Sequence, residues 1–395
     1  MSPLQPAADR LQSLDALRGL ALLGILLMNI DTFVRPLQDA SSIMIWSPDA
    51  AGTAHWVLDV LVRGKFWMLF SLLFGMGFAL VWARHAPADV PRARRWGRRR
   101  AMALIGLGLL HIVLLWNGDI LLLYGLTALA LVACMRWQPR TQLGAGLGLY
   151  IGLWLLIGWL TTLLGQDGRA LAEMETEGRQ QAARAAAVYA EGSFLQVSMF
   201  RVSEFIELVL PSMLLMQVPV TLAVFLLGVW LVRTGRVLAP QDHRNFWRVA
   251  ALGGAVLAAP LLGWSLQIRQ DLDAASPLIN WALADVLHAL ASLPMVFSYL
   301  GLWMLLSTSG TSGHLKRLLA PAGRMSLSLY LLQSLVCSLI FFGYGAGLYG
   351  QVDRWGQVQI AGVLFIAQCV LATFWLRRFR QGPVEALVKA WVARA

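Results

Sequence analysis

Long apolar segments follow one another along almost the whole chain, and this pattern constrains the fold more than any other feature. A helix needs roughly 17–25 mostly apolar residues to cross a bilayer. Ten segments of about this kind occur, at residues 14–33, 66–83, 101–116, 120–135, 141–164, 205–232, 248–268, 281–306, 325–343 and 357–376. We therefore expect an all-α fold, a polytopic integral membrane helix bundle of about ten transmembrane helices.

Composition excludes the main alternatives to a membrane protein. Hydrophobic residues make up 58 % of the chain and charged residues only 13 %. A soluble domain carries about 25 % charged residues, and a disordered chain is less hydrophobic still. The formal net charge of +11 would suggest nucleic acid in a soluble protein, but membrane proteins collect basic residues in their cytoplasmic loops. We expect the lipid bilayer as a partner and no nucleic acid.

The distribution of charge predicts the orientation of the bundle. If the N-terminus is cytoplasmic, 23 of the 32 Lys and Arg residues fall on the cytoplasmic side and 9 on the other, whereas the acidic residues divide as 5 and 16. The positive-inside rule therefore predicts that both termini are cytoplasmic.

The chain is expected to form a single membrane domain over residues 1–395. Its parts are an N-terminal five-helix half (14–164), an extracytoplasmic polar helical segment (165–204), a C-terminal five-helix half (205–376) and a cytoplasmic amphipathic tail (377–395). In the fifth apolar segment Gly144, Gly148 and Gly152 recur every four residues. No strand precedes them, as a phosphate-binding loop would require, so they predict close helix packing by small residues.

Two histidine–aspartate pairs are predicted in the outer half of the bundle. His111 and Asp119 flank a short break between the third and fourth helices, and Asp285 and His288 share a face of the eighth. Ionisable residues within a bilayer mark functional sites, and a histidine oriented by a carboxylate is a usual general base. The alternatives are a structural clasp that closes the hairpin, for the first pair, and a neutralised packing element, for the second.

A second polar group is predicted at the cytoplasmic side. Arg18 follows Asp15 by one turn at the start of the first helix, and Arg324 precedes the ninth helix, which carries Tyr330 and Gln333. Such residues either hold helices together or line a polar path from the cytoplasm. No metal site is predicted, because the histidines are isolated from thiols and from one another.

Several of these residues belong to longer motifs that occur in order along the chain. They are Leu14-Asp15-Ala16-Leu17-Arg18-Gly19, Lys65-Phe66 with Leu69-Phe70-Ser71-Leu72-Leu73-Phe74-Gly75, His111 with Trp116-Asn117-Gly118-Asp119-Ile120-Leu121 and Tyr124-Gly125, Gly323-Arg324-Met325-Ser326-Leu327, Tyr330-Leu331-Leu332-Gln333-Ser334, and Phe379-Arg380-Gln381-Gly382-Pro383-Val384-Glu385. With them the chain resembles the YeiB-like bacterial membrane proteins, whose C-terminal part is domain of unknown function 418.

This group is considered a distant relative of the transmembrane acyltransferases, which include the lysosomal heparan-glucosaminide N-acetyltransferase and the type 3 acyltransferases. The resemblance implies a multi-pass protein of the bacterial cytoplasmic (inner) membrane. It further implies transfer of an acyl group from cytoplasmic acyl-CoA to a small-molecule, lipid or glycan acceptor. The catalytic histidine of the lysosomal enzyme lies in the loop after the first helix. Here that loop contains His55, in a motif that does not align with it.

Under this interpretation acyl-CoA is a co-substrate and no cofactor is bound covalently. Arginines suit its phosphates, and a histidine would take the proton of the acceptor. The expected cofactor-binding residues are Arg18, Arg324, Tyr330 and Gln333, and the expected catalytic residues are His111, Asp119, Asp285 and His288. Two other classes fit the same residues, a proton-coupled small-molecule transporter or exporter and a non-catalytic membrane binding protein. A homo-oligomer is compatible with each of them.

Overall fold

The computed structural model describes residues 8–37, 49–86, 89–165, 167–270, 277–309 and 311–393, and every regular element in these ranges is helical. The first eight helices are α1 (Ala8–Val34), α2 (Ala50–Leu61), α3 (Lys65–His85), α4 (Val90–Leu114), α5 (Ile120–Cys134), α6 (Pro139–Leu164), α7 (Gly168–Glu191) and α8 (Phe194–Glu204). Two π turns, Phe205–Val209 and Met213–Gln217, then enclose α9 (Leu210–Ser212) and lead into α10 (Val218–Arg233). After a 3₁₀ turn (Pro240–His243) come α11 (Arg244–Gln270), α12 (Pro277–Thr308), α13 (Gly313–Arg324), α14 (Ser326–Phe341), α15 (Arg354–Arg378) and α16 (Pro383–Ala393).

The predicted all-α, multi-pass membrane fold is confirmed, but the count of ten spans is not. Among the described residues, seven helical stretches are long and apolar enough to cross a membrane, and the pair α13–α14, bent by 76°, raises the number to eight. The difference lies in the α4–α5 hairpin. The first turns of α4 are rich in arginine, and α5 has only 15 residues. Because the hairpin returns the chain to the side from which it came, the predicted orientation requires no change.

The segment before the second predicted span is helical rather than a loop. Helix α2 continues almost directly into α3, and together they form a 36-residue apolar stretch. The junction is Gly64, whose φ of +76° is a left-handed conformation that glycine adopts without steric cost. This turn lets Arg63 and Lys65 project from the junction between two helices.

Helix α10 lies in the middle of the bundle and packs against α3, α5 and α6. The prediction that Gly144, Gly148 and Gly152 mediate close packing is wrong for the part of the chain that the structure describes. There, no atom beyond the glycine's own turn of helix lies within 4 Å of a Cβ added at any of them. The buried row of α6 is instead Gln142, Gly146 and Tyr150, offset by two residues and therefore on the opposite face of the helix. Gly146 is the glycine that approaches α10.

Candidate functional site

The α4–α5 hairpin brings His111 and Asp119 together at its tip. Asp119 caps the N-terminus of α5, where its Oδ2 accepts a hydrogen bond of 2.5 Å from the backbone N–H of Leu122. Its Oδ1 lies 2.9 Å from Nδ1 of His111, and both side chains are completely buried. The cap therefore holds the carboxylate in the position from which it contacts the imidazole.

Aromatic side chains surround the other faces of this imidazole. The ring of Tyr330 on α14 lies 5.2 Å from that of His111, and Trp116 presents its ring edge-on at 6.3 Å. The Tyr330 hydroxyl accepts a hydrogen bond of 3.2 Å from the backbone N–H of Ile120. Both ring nitrogens of His111 and Oδ1 of Asp119 are buried and have no hydrogen-bond partner among the described residues. The 2.9 Å contact between the two side chains is therefore an ion-pair distance without hydrogen-bond geometry.

A cavity of about 770 Å³ lies beside the hairpin tip, between α1, α3, α5, α12 and the π turns that precede α10. Its polar lining consists of Asn29, Arg63, Asp119, Ser212, Gln217, Asp285, His288 and Ser292, and its apolar lining includes Trp67, Leu123, Met213 and Met216. Of the four predicted catalytic residues, three therefore line one cavity. His111 does not line it and lies behind Asp119.

A network of four charged groups forms the wall opposite the hairpin. The guanidinium of Arg63 contacts Asp59 one turn earlier, and its Nη1 lies 3.1 Å from Oδ1 of Asp285. Arg269 on α11 pairs with the same oxygen of Asp285 and lies 3.9 Å from Asp59. The side chain of Asp59 is 3 % exposed and that of Asp285 is 47 % exposed. The network is therefore closed at Asp59 and open at Asp285 and, to a smaller extent, at Arg63, whose side chain is 29 % exposed.

Lys65 and His288 extend this network into the protein interior. The Lys65 ammonium is fully buried, donates to the carbonyl of Asp59 at 3.1 Å and lies 2.7 Å from Nε2 of His288. Nδ1 of His288 lies 3.8 Å from Oδ2 of Asp59. The carbonyl of Arg63 lies 3.1 Å from Nε2 of His288, also within hydrogen-bond distance.

Asp59 was not among the residues predicted for the site, although it contacts most of this network. The prediction placed residues 34–65 in a loop, where a carboxylate is unremarkable. The available signal was the spacing of Asp59 and Arg63, an oppositely charged i, i+4 pair within an apolar run.

The polar helices α7 and α8 cover the outer side of the hairpin tip. Glu204, at the end of α8, accepts hydrogen bonds from the side-chain amide of Asn117 at 2.5 Å and from the hydroxyl of Tyr189 at 2.8 Å. Burial and the neighbouring carboxylate raise the pKa of Tyr189 well above its usual value, so the hydroxyl remains a donor. The fully buried Arg201 donates to the carbonyl of Val113 at 3.0 Å. These contacts shield the His111 pair from the outer surface.

The two predicted phosphate-binding arginines lie near the same end of α1. Nη1 of Arg18 is 2.5 Å from Oδ1 of Asp15, and the charge of Arg324 also acts on Asp15. Arg324 is exposed and donates to the carbonyl of Arg380 at 2.8 Å. Gly323 packs so closely on the backbone of Asp15 that an added Cβ would lie 1.7 Å from its carbonyl oxygen.

The sequence-based prediction omitted Arg100, which lies within electrostatic range of Arg18 and stacks 5.0 Å over the ring of Phe74.

The other two predicted cofactor-binding residues have different partners. Tyr330 contacts the hairpin tip, as described above. Gln333 is buried and donates to the side chain of Gln368 on α15 at 2.9 Å, a contact that joins two helices.

Comparisons with known proteins agree with the motifs. Residues 231–395 match the family model described as protein of unknown function DUF418. The uncharacterised protein YeiB of Escherichia coli K12 is 32 % identical over 415 residues, which cover 98 % of this chain and 97 % of YeiB. The uncharacterised protein YxaH of Bacillus subtilis 168 is 28 % identical over 410 residues, which cover 98 % of this chain and 96 % of YxaH. No solved structure matches the chain significantly. The chain belongs to the YeiB-like family, whose C-terminal region is DUF418.

Proposed function

We propose that this protein is a transmembrane acyltransferase of the bacterial cytoplasmic membrane, which moves an acyl group from cytoplasmic acyl-CoA to an acceptor at the outer side. The observation that carries the proposal is the buried His111–Asp119 pair, with 2.9 Å between the ring nitrogen and the carboxylate oxygen. It adjoins a cavity of about 770 Å³, a volume typical of small-molecule sites.

In the proposed mechanism Asp119 orients His111, which acts as a general base. In the proposed reaction, Nε2 of His111 takes the proton of the acceptor hydroxyl or amine while the acceptor atom attacks the thioester carbonyl carbon. The carbon–sulfur bond then breaks, and the CoA thiolate receives the proton from the imidazolium. Asp119 stabilises that imidazolium and keeps the ring in its productive orientation.

The arginines near Asp15 are the proposed binding site for the CoA phosphates. Arg18, Arg100 and Arg324 present planar guanidinium groups, which pair with phosphate through two parallel hydrogen bonds. The cavity wall ends at Asp119, so the reaction requires a movement of the hairpin tip or of Tyr330 that admits both substrates to Nε2 of His111.

The test is transfer of radiolabelled acetyl from acetyl-CoA to lipid-extract acceptors in proteoliposomes. His111→Ala should lower the rate by about two to four orders of magnitude, the usual contribution of a positioned base. Asp119→Asn should lower it less, because the imidazole remains. His314→Ala removes an exposed histidine from α13 and serves as the matched control. Equal incorporation by the wild type and His111→Ala would end the assignment.

A proton-coupled transporter is the second candidate, and the Lys65–His288–Asp59 network favours it. Buried chains of ionisable groups are the usual elements of proton relays in membranes. The transporter takes precedence if the wild type neither binds CoA nor transfers label, while a pH gradient drives a solute flux that His288→Ala abolishes.

A further inference from the structure

One motif of the sequence takes no part in the proposed reaction. It is the run Phe379-Arg380-Gln381-Gly382-Pro383-Val384-Glu385, which joins α15 to the C-terminal helix α16. Proline is favoured at the first position of a helix, and Pro383 begins α16. Glu385 therefore lies in the first turn of α16, where a carboxylate suits the helix dipole.

The carboxylate of Glu385 also lies on the first turn of α14. Its Oε1 accepts hydrogen bonds of 2.8 and 3.2 Å from the backbone N–H groups of Leu327 and Ser328. Its Oε2 accepts a hydrogen bond from the hydroxyl of Ser328, whose oxygen accepts in turn from the N–H of Val384 at 3.0 Å. One acidic side chain thus occupies the end of α14 that attracts anions.

This contact lies beside one of the proposed phosphate-binding arginines. Arg324 is three residues before Leu327, and its charge acts on Asp15. It donates to the carbonyl of Arg380, in the same motif, at 2.8 Å. The motif therefore supplies acceptors, a carboxylate and a carbonyl, to donors that a phosphate could use instead. Because the oxygens of a phosphate are acceptors too, a phosphate and Glu385 cannot occupy these donors together.

Few contacts hold α16 in this position. None of its residues that the structure describes is buried, and Leu387 and Trp391 are 62 % and 54 % exposed. Among the described residues, the hydrogen bonds between α16 and the rest of the bundle all go to Leu327 and Ser328. Segments with few buried apolar contacts open at a low cost in free energy. The position of α16 therefore depends mainly on the carboxylate of Glu385.

From these contacts we infer that α16 is an autoinhibitory strap. While Glu385 lies on the first turn of α14, the strap covers the donors beside Arg324. A phosphate-bearing ligand from the cytoplasm displaces the carboxylate and releases α16. The inference rests on the proposed function in that Arg324 belongs to the proposed site for the CoA phosphates, but release of the strap requires no acyl transfer.

Gly382 offers a way to release the strap without changing a charge. A Cβ added there would overlap Oε2 of Glu385 and lie 2.7 Å from Oγ of Ser328. The flexible end of the Glu385 side chain can yield, so Gly382→Ala should displace the carboxylate from α14. Glu385→Gln instead removes the charge and keeps the shape. Asp242→Asn removes an exposed carboxylate elsewhere in the chain and serves as the matched control.

The experiment uses the purified full-length protein in neutral detergent, with CoA and inorganic pyrophosphate as separate probes. Isothermal titration measures the affinity for each probe. Mass spectrometry measures tryptic cleavage after Lys389, which requires α16 to detach and unfold. Both quantities depend on the fraction of molecules in which the strap is open.

Glu385→Gln and Gly382→Ala should each raise the affinity for both probes and the cleavage rate roughly tenfold, the effect of losing one charge-assisted contact. Either probe at saturation should speed cleavage of the wild type. Asp242→Asn should behave like the wild type in every assay.

Three results would overturn the inference. Faster cleavage of Glu385→Gln with unchanged affinity for both probes would make α16 a stabilising cap alone. Slower cleavage of the wild type with a probe bound would make α16 part of the binding site. Binding of neither probe to any variant would leave the strap no phosphate to exclude, and acetyl transfer, measured separately, then decides the proposed function. Release of the strap by pyrophosphate but not by CoA would support the strap and contradict only the proposed binding of CoA.

Discussion

Gly108 lies where α4 packs on the first turn of α5, next to the Asp119 cap. A Cβ added at this position would lie 2.3 Å from the backbone nitrogen of Leu122 and 2.5 Å from Oδ2 of Asp119. Ordinary contacts begin at 3.4 Å, so Gly108→Ala requires the two helices to separate by about 1 Å. Because one clashing atom belongs to the backbone and the other caps it, no side-chain rotation relieves the strain.

Three effects determine the change in the free energy of unfolding. Overpacking costs about 1–3 kcal/mol, and disturbing the Asp119 cap costs about 0.5–2 kcal/mol. Alanine gains at most about 1 kcal/mol over glycine in a helix, so Gly108→Ala should destabilise by roughly 0.5–5 kcal/mol. Gly106→Ala is the matched control on the same helix, because no neighbouring atom of the described residues lies within 4 Å of its added Cβ. Only the helix-propensity gain remains there.

Thermal unfolding in detergent, followed by tryptophan fluorescence, tests this reasoning. Gly108→Ala should melt below the wild type, and Gly106→Ala should melt at the wild-type temperature or above it. Gly108→Ala should also reduce acetyl transfer, since it displaces the carboxylate that orients His111. Equal melting temperatures for the two variants would refute the close packing on which the geometry of the pair depends.

Three further predictions follow from the charges, the caps and the topology. Asp59→Asn leaves buried cations without their counter-ion and should lower the free energy of unfolding by about 3–5 kcal/mol. Asp285→Asn, at a half-exposed pair, should lower it by less than about 1 kcal/mol. Similar melting temperatures for the two variants would contradict the assigned burial. Glu385 accepts hydrogen bonds of 2.8 and 3.2 Å from the backbone N–H groups that begin α14. Glu385→Ala should therefore lower the free energy of unfolding by about 0.5–2 kcal/mol and speed tryptic cleavage at Lys389. An unchanged cleavage rate would count against this cap. Reporter fusions after Arg95 and within residues 182–187 should report opposite sides of the membrane, and a common side would invalidate the predicted orientation.

Local spacing accounts for what the sequence predicted well. The break between α4 and α5 is so short that His111 and Asp119 have little choice of position, and they lie 2.9 Å apart. The three-residue spacing of Asp285 and His288 likewise places both on one face, and both line the cavity.

Contacts between distant segments account for what the sequence missed. Lys65 meets His288 only because α3 and α12 pack side by side, and no local pattern encodes that pairing. Arg100 is half-buried over Phe74 although it ends an arginine-rich run that the positive-inside rule assigns to a loop. The glycine repeat of α6 failed for a related reason, because spacing identifies a row of small residues but not which row meets a neighbouring helix.

The central claim is that an acyl group leaves CoA on one side of the membrane and reaches an acceptor on the other. Sealed inside-out vesicles test it most directly with acetyl-CoA that carries one isotope in the acetyl group and another in the adenine ring, added to the cytoplasmic face. We predict that the acetyl label accumulates on an acceptor in the lumen while the adenine label stays outside, and that His111→Ala abolishes this separation. Entry of both labels together, or no more acetyl label in wild-type vesicles than in His111→Ala vesicles, would contradict the account.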